Sequence, residues 1–237
     1  MDAAWDFYFT HDGQAALLVA LDLAWGEGAP HAHLPERLIV SAQMRTPLAS
    51  GLRAPGEAPA LRVVEDAIAA VLQPAGWVRV GRVVTRGRTD FIYHGPVGDR
   101  PALPETTYPL KAIAHSDASW DLYRNFLWPG VREWQQMQNR RGLLQLKAQG
   151  DAGEAPRPIV HSVRALDKEA ALAAGKALLA AGFTPGSMEE LEDEWTLRFT
   201  GVAPPAQIDA ITAEIFELAD ALGDVVYLGW TCGVVTG

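Results

Sequence analysis

The chain has 237 residues and a formal net charge of −9, and its 49% hydrophobic and 21% charged residues form a globular composition that excludes wholesale disorder. The acidic balance disfavours nucleic acid and anionic membranes as partners and favours a basic protein partner. One cysteine excludes an internal disulfide. Neither a signal peptide nor a membrane-spanning stretch is recognisable, so we expect a cytoplasmic location.

The N-terminal part, residues 1–147, carries the patterns of an α+β domain. In chain order they predict strands at 5–10, 15–23 and 37–44, a helix at 61–72, strands at 77–85, 89–94 and 108–114, and helices at 117–127 and 129–147. Pro96, Pro101 and Pro104 oppose a further helix before the last strand. The middle of this series otherwise matches a split βαβ unit. We therefore interpret the domain as a sheet with helices on one face, a degenerate ferredoxin-like unit with an added N-terminal hairpin.

The C-terminal part follows a segment, 148–158, whose glycine and proline content predicts a linker. Residues 159–237 then predict, in chain order, a strand at 159–165, a helix at 167–181, strands at 187–190 and 194–200, a helix at 204–222 and a strand at 225–235. Asp167 is a suitable N-cap for the first helix, and a turn is expected at Pro185–Gly186. The βαββαβ order is the ferredoxin-like arrangement.

The negative charge is unevenly distributed along the sequence. Residues 1–150 contain 15 acidic and 15 basic side chains, whereas residues 151–237 contain 14 acidic and 5 basic ones. Five carboxylates fall within six positions at the predicted C-terminal hairpin: Glu189, Glu190, Glu192, Asp193 and Glu194. They repel one another, which costs stability unless water solvates them, so the run is either a solvated turn or a docking surface. Such clusters raise association rates and fix orientation, and an acidic hairpin can occupy the basic cleft of a nuclease in place of nucleic acid.

The sequence contains no recognisable catalytic or cofactor motif: it lacks a P-loop, a dinucleotide fingerprint, an HExxH pair and a nucleophile elbow. We therefore expect no catalysis, no cofactor and no metal. His31 and His33, with Glu27 and Glu36 as the nearest further ligands, are interpreted as solvated loop residues rather than metal ligands. Asp117, in a His-Ser-Asp run, is interpreted as a helix cap, and Cys232 as a core residue.

Two further groups of residues leave alternatives open. Four arginines on the hairpin predicted over 77–94 are either solvated or paired with the acidic domain: Arg79, Arg82, Arg86 and Arg88. Three clustered tryptophans belong either to a core or domain seam, or to a partner-binding patch: Trp120, Trp128 and Trp134.

Several of these segments resemble known bacterial families. The segments 5–10, 34–38, 120–129 and 134–141 resemble the domain of unknown function 695, over about residues 1–147. Residues 157–237 are similar to the regulator of ribonuclease E activity B family, in the strand at Ile159, Ala181–Gly182–Phe183, Trp195, the helix at 208–222 and the stretch 227–230. The second resemblance implies a ferredoxin-like fold and an acidic protein that binds and inhibits an endoribonuclease, although the founding regulators lack the N-terminal domain.

The function predicted from the sequence is therefore that of a non-enzymatic, acidic inhibitor of a nuclease. Its target is either a cellular endoribonuclease or a toxin, since small acidic proteins of this kind also serve as immunity proteins. Two other classes remain open: an interaction or scaffold module without inhibitory activity, and an enzyme with its site in an interdomain cleft. The residues by themselves indicate only a basic partner.

Overall fold

The computed structural model describes residues 3–26 and 28–235. The chain divides into two compact units, Met1–Glu133 and Trp134–Gly237. Each unit combines one antiparallel sheet with helices, which confirms the predicted two-domain α+β architecture. Within the described ranges, no helix has both the length and the apolar character needed to cross a membrane.

The first unit is built on a six-stranded sheet. Its elements in chain order are β1 (Trp5–Asp12), β2 (Ala15–Asp22), β3 (Glu36–Gln43), α1 (Ala58–Leu72), β4 (Val78–Thr85), β5 (Arg88–Gly95) and β6 (Leu110–Ser116). The strands lie in the order β1-β2-β4-β5-β3-β6, and all neighbours are antiparallel. Helix α1 packs its apolar stripe on one face of this sheet. The shared core contains Leu61, Val64, Ile68 and Leu72 of α1 with Leu38, Val40, Phe91 and Tyr93 of the strands.

The segment 117–128 contacts the first sheet at β2 and β4. Trp120, Tyr123 and Leu127 are fully buried in it. The hydroxyl of Tyr8 on β1 donates to the carbonyl of Leu127 at 3.0 Å, and that of Tyr123 donates to the backbone carbonyl of Asp22 at 2.8 Å. The short helix predicted at 117–127 is present over 121–127, with π-helical hydrogen bonding at Tyr123–Leu127. This packing requires a glycine at position 81, since a Cβ there would lie 2.5 Å from Leu127.

The second unit contains a four-stranded sheet. Helix α2 (Val131–Ala148) crosses the division between the units, and the later elements are β7 (Arg157–Ala165), α3 (Lys168–Ala180), β8 (Thr184–Leu191), β9 (Glu194–Ala203), α4 (Ile208–Leu222) and β10 (Val225–Cys232). The strand order is β10-β7-β9-β8, with antiparallel neighbours. Together with the βαββαβ chain order, this confirms the ferredoxin-like arrangement. The carboxylate of Asp167 caps α3 by accepting from the Ala170 amide at 2.8 Å, as predicted.

The two sheets share one connectivity. In the second unit, the first to fourth strands lie in the order fourth, first, third, second. In the first unit, β3, β4, β5 and β6 take these same four positions, with α1 as the first crossover and the β1–β2 hairpin added beside β4. Residues 96–109, where the second crossover helix would lie, form neither helix nor strand. The strand order therefore supports the interpretation of the first unit as a degenerate ferredoxin-like unit.

Strand β8 corrects one prediction. A turn was expected at Pro185–Gly186, but β8 already begins at Thr184 and contains both residues. Its register against β9 shifts between Pro185 and Met188, so a bulge accommodates the proline and the glycine within the strand. An edge strand tolerates a proline because its outer N–H groups need no ladder partner.

The segment predicted as a linker contains one tightly held side chain. Residues 149–156 have no helix or strand, yet Asp151 is buried among them. Its carboxylate binds the Arg157 guanidinium at 2.5 and 2.9 Å and accepts from the amides of Gly153 and Val235. These hydrogen bonds, the Arg157 contact first, hold the pKa of Asp151 far below its usual range. The assignment of 148–158 as a linker stays a prediction.

Candidate functional site

The five predicted carboxylates lie at one end of the β8–β9 hairpin. Leu191 and Glu194 are paired across the strands, so only Glu192 and Asp193 form the turn. Both turn residues have positive φ values, 53° and 66°. Two consecutive left-handed residues are the signature of a type I′ turn, which matches the right-handed twist of the flanking strands. The carboxylate run is therefore held in a tight, regular hairpin rather than in a loose loop.

The strand register separates the five side chains into three directions. Glu190 pairs with Trp195, which packs against the helix-covered core, so it points to the helix side. Glu189 and Glu194 point to the opposite face, and Glu192 and Asp193 stand at the tip. Glu194 is half-exposed and forms an ion pair with Arg164 at 3.2 Å, in which both side chains are more than 40% exposed. The other four carboxylates are exposed, so water can solvate all of them.

The hairpin also forms an edge of its sheet. Strand β8 pairs with β9 on one side, and among the described residues no strand pairs with its other side. Seven of its eight residues are exposed. Free N–H and C=O groups on an edge invite pairing with another chain, and charged side chains are the usual protection against pairing with an identical copy. The acidic charges of β8 oppose its pairing with a second acidic β8 and admit a basic segment.

The sheet of the second unit has one buried face and one exposed face. Every second residue of β7, including Ile159 and Val163, is buried, whereas the residues between them face the other way. That other face exposes the apolar side chains of Val160, Val202 and Val226. The hairpin carboxylates on this face, Glu189 and Glu194, therefore belong to a surface that contains both apolar and charged side chains.

Comparison with known families divides the chain in the same two parts. A model described as Family of unknown function (DUF695) matches residues 3–128, which is more than half of the chain. The chain belongs to this family. A second model, described as Regulator of ribonuclease activity B, matches residues 136–232. No curated protein matches the chain.

The regulator match begins inside α2, and the structure explains why. The side-chain amide of Asn139 donates to Asp209 at 2.8 Å and to Thr212 at 2.9 Å on α4, and its oxygen accepts from the Trp230 indole at 2.8 Å. Gly142, one turn further, leaves room for the same indole, since a Cβ would lie 2.8 Å from it. Asn139 and Gly142 therefore join the middle of α2 to α4 and β10 of the second unit.

The net charge of the two parts changes when it is counted over the structural units instead of over residues 1–150 and 151–237, because the second unit contains most of α2. Arg140, Arg141 and Lys147 precede residue 151, and they reduce the net charge of Trp134–Gly237 to −6, from 14 acidic and 8 basic side chains. The first unit then carries −3, from 15 acidic and 12 basic ones. The asymmetry between 1–150 and 151–237 is thus less complete between the two structural units. The local excess at the β8–β9 hairpin is unaffected.

The weaker candidates of the DUF695 region have structural roles. The Asp117 carboxylate accepts from the Asp121 amide at 2.8 Å and binds Arg37 at 3.0 Å, which confirms it as a cap. His31 contacts the rings of Trp25 and Trp120 edge-on, so it is less solvated than predicted. Glu27 lies outside the described residues. In the remainder, no group of three or more His, Cys, Asp or Glu side chains could hold a metal ion.

The three tryptophans differ in exposure. Trp120 is fully buried and belongs to the core of the first unit, whereas Trp128 is 40% and Trp134 is 37% exposed. Cys232 is half-buried, and burial raises the pKa of its thiol, which disfavours the nucleophilic thiolate.

The four arginines of the β4–β5 hairpin bind carboxylates of their own unit. Arg79 and Arg82 bind Glu65, Arg86 binds Asp12, and Arg88 binds Asp90, all at 2.6 to 2.9 Å. These ion pairs lie within the first unit and so do not support pairing with the acidic domain, whereas the predicted solvation fits Arg86 and Arg88, which are exposed. The sheet brings Asp12 to Arg86 from 74 positions away, which sequence spacing does not reveal, whereas Arg88 and Asp90 are two positions apart on β5.

Two buried histidines were missed by the sequence analysis. His94 is fully buried and stacks on Trp120 with ring centroids 4.0 Å apart. His161 is fully buried between Phe199 and Tyr227, with its Nδ1 2.9 Å from the Tyr227 hydroxyl. Burial lowers the pKa of each to about 4, so both are neutral at pH 7. A signal existed for His161, since it occupies a buried register position between Ile159 and Val163 on β7.

Proposed function

We propose that this chain is a non-catalytic cytoplasmic regulator that binds an endoribonuclease and inhibits it through the β8–β9 hairpin. One observation carries the proposal: the carboxylates at 189, 190 and 192–194 extend from one tight turn, in the part of the chain that matches the ribonuclease regulator family. That family is a non-catalytic regulator family, and its members bind ribonuclease E.

Charge complementarity supplies the physical basis. A ribonuclease binds phosphates, so its RNA-binding cleft is basic, and a rigid array of carboxylates can occupy that cleft in place of RNA. The type I′ turn holds the carboxylates close together before any encounter, which reduces the entropy lost on binding. The free edge of β8 adds backbone groups that a basic extended segment of the nuclease can pair with.

The test compares two variants with the same change in net charge. The hairpin variant carries Glu189→Gln, Glu190→Gln, Glu192→Gln, Asp193→Asn and Glu194→Gln. The control variant carries five substitutions at exposed carboxylates elsewhere in the second unit: Glu154→Gln, Glu169→Gln, Glu214→Gln, Glu217→Gln and Asp224→Asn. Because both variants lose five negative charges, a difference between them reports the location of the charge and not its total.

The measurements are the dissociation constant for ribonuclease E of the same organism and inhibition of its RNA cleavage. We expect the hairpin variant to bind about 100-fold more weakly at low salt, since loss of contacts totalling about 3 kcal/mol corresponds to that factor. The control variant should stay within about threefold of the wild type. Wild-type affinity should fall as salt is raised from about 0.05 to 0.3 M, because the interaction is screened.

Three outcomes would contradict the proposal. Equal binding by the hairpin variant at low salt would remove the hairpin from the interface. Equal losses of affinity in both variants would show that binding depends on the total net charge and not on the position of the carboxylates. Binding without inhibition would make the chain an interaction module rather than an inhibitor.

A further inference from the structure

A cluster of charged side chains lies between α1 and β4 in the first unit, far in sequence from the acidic hairpin. We call it the arginine cluster, and it consists of Arg53, Arg62, Arg79, Arg82, Glu65 and Asp66. Four positive and two negative charges give it a net charge of +2. Neither family match assigns a role to these residues.

The buried acceptor of this cluster is already fully used. Glu65 is only 6% exposed, and its two carboxylate oxygens bind Arg79 at 2.7 Å and Arg82 at 2.8 Å. The Arg79 guanidinium also lies over the ring of Trp5, 4.5 Å from its centroid. One carboxylate therefore neutralises one of these two arginines and leaves the charge of the other uncompensated.

Arg53 increases the excess of positive charge in the arginine cluster. It is partly buried, yet its guanidinium makes no hydrogen bond or ion pair with any residue that the structure describes. Burial lowers its pKa most and the positive charge of Arg82 lowers it next, while the Glu65 carboxylate opposes this and Arg62 adds a smaller lowering effect. Glu65 is already bound by Arg79 and Arg82, so it compensates Arg53 only in part, and a partly desolvated cation beside like charges costs stability unless a further anion compensates it.

Hydrogen-bond donors exceed acceptors in the same place. Arg79 Nε, Arg82 Nε and the Tyr93 hydroxyl are buried and have no hydrogen-bond partner among the described residues. Tyr93 lies directly opposite Arg79 in the pairing of β4 with β5, so it adjoins the cluster. Burial raises the pKa of its hydroxyl most, Arg79 opposes this, and Glu65 and Asp66 raise it further. Buried polar atoms in folded proteins are nearly always satisfied, and a surplus of donors indicates a missing acceptor.

We propose that the arginine cluster binds a phosphate group. Guanidinium groups present planar forks of donors that match the oxygens of an oxyanion, and a dianion compensates a charge of +2. A single carboxylate would leave one positive charge uncompensated. The Arg79 and Arg82 side chains are each 24% exposed, so a ligand can reach them from solvent. This proposal is independent of the proposed nuclease inhibition, since it rests on the other structural unit.

The test uses the full chain and inorganic phosphate. Thermal unfolding and calorimetric titration are compared in sodium phosphate and in sodium chloride of the same ionic strength. The variants are Arg53→Gln, which removes the unpaired guanidinium, and Arg100→Gln, a control at an exposed loop arginine. Arg62→Gln, on the exposed side of α1, provides a second cluster variant whose folding is not at risk.

The expected results differ in sign between the two solutions. In chloride, Arg53→Gln should unfold at the same temperature as the wild type or higher, because it relieves an unpaired charge. In phosphate, the wild type should gain stability, since a ligand that binds only the folded state stabilises it, and Arg53→Gln should lose this gain with an affinity at least about tenfold weaker. Arg62→Gln should weaken phosphate binding about threefold, and Arg100→Gln should stay within twofold of the wild type.

Further arms identify the source of the phosphate. Tighter binding of a 5′-mononucleotide than of inorganic phosphate would assign the site to a nucleotide, and equal binding would assign it to free phosphate. The proposal is overturned if the wild type responds equally to phosphate and chloride, or if citrate produces the same shift as phosphate. It is also overturned if Arg53→Gln loses equal stability in both solutions, because the arginine would then be structural.

Discussion

The β4–β5 and β8–β9 hairpins occupy equivalent positions in the two ferredoxin-like units, as second and third strands, and both turn through two residues of positive φ. In β4–β5 these are Arg86 and Gly87, with φ values of 48° and 75°. In β8–β9 they are Glu192 and Asp193. Glycine takes such a conformation without cost, whereas glutamate and, less so, aspartate are strained there. The first hairpin thus keeps one charged residue, Arg86, where the backbone prefers others, whereas the second keeps two, Glu192 and Asp193.

The two hairpins also differ in how many of their charged side chains form ion pairs. Arg86 and Arg88 of the first hairpin bind the nearby carboxylates of Asp12 and Asp90. In the second, Glu194 forms an ion pair with Arg164, while the other four carboxylates extend into solvent. Departures from local turn preference are expected mainly at functional sites. The contrast therefore favours a binding role for the second hairpin and a structural role for the first.

The two sheets differ in a second respect, because the first depends on the aromatic segment 117–128. Trp120 is its fully buried centre, stacks on His94 and donates to the Leu34 carbonyl at 3.0 Å. Trp120→Ala should lower the free energy of unfolding by about 4 kcal/mol, the usual cost of removing a buried aromatic side chain. Urea unfolding of the full chain, followed by circular dichroism, measures this.

Phe126→Ala provides the control in the same segment, since this ring is 44% exposed and should cost less than about 1 kcal/mol. A similar loss in both variants would show that the segment is not a packed part of the first unit.

The sequence was most informative where local patterns decide the structure. The alternation of Trp195, Leu197 and Phe199 and the spacing of Ile208, Ile211 and Ile215 predict the strand and helix that are observed. Local signals also include the Asp167 cap, whose partner is three residues away.

Long-range features were not predictable in the same way. The bulge at Pro185 exists only because β9 pairs with both sides of it, and the bonds of Asn139 join residues that are 70 or more positions apart. The arginine cluster likewise forms from a loop, a helix and a strand. A single sequence contains no signal for such contacts, because they are set by the register of the sheets.

Each unit contains one buried histidine, which predicts a shared sensitivity to acid. The pKa of His94 and of His161 is about 4 in the folded chain, against about 6.5 in the unfolded chain. Between these values the unfolded chain binds the proton and the folded chain does not, so stability falls as the pH is lowered from about 6.5 to 4. The loss is up to about 3 kcal/mol for each histidine.

Urea midpoints at pH 7 and pH 4.5 measure this loss, and His94→Gln and His161→Gln should each remove about half of it. If neither variant changes the pH dependence, the histidines titrate normally, and the burial of both imidazoles is contradicted.

A smaller effect is expected at the end of β5. Gly95 lies against the Trp77 indole, where an added Cβ would come within 2.2 Å of the ring. Because Trp77 is buried and cannot move aside, Gly95→Ala should cost about 2 kcal/mol, the usual penalty of overpacking. Gly56→Ala is the matched control, since no atom lies within 4 Å of its added Cβ. Equal urea midpoints for the two variants would contradict this packing.

The smallest change in stability tests the comparison of the hairpins most directly. Glu192→Asn with Asp193→Gly installs the residues that a type I′ turn prefers, and should stabilise the second unit by about 1 kcal/mol. The same variant removes two carboxylates at the tip and, if the proposed interface with ribonuclease E includes them, should weaken that binding by about tenfold. Urea unfolding and a binding titration on one preparation measure both effects.

Arg86→Asn in the equivalent β4–β5 turn is the matched control, because it also creates an Asn-Gly turn. It exchanges an exposed ion pair with Asp12, which contributes little, for better turn chemistry. Its stability should change by only a few tenths of a kcal/mol, and its binding to the nuclease should not change. If the Asn-Gly variant of β8–β9 binds as tightly as the wild type while gaining stability, the strained acidic turn has no binding role. If both turn variants weaken binding equally, the difference between the hairpins is not one of function.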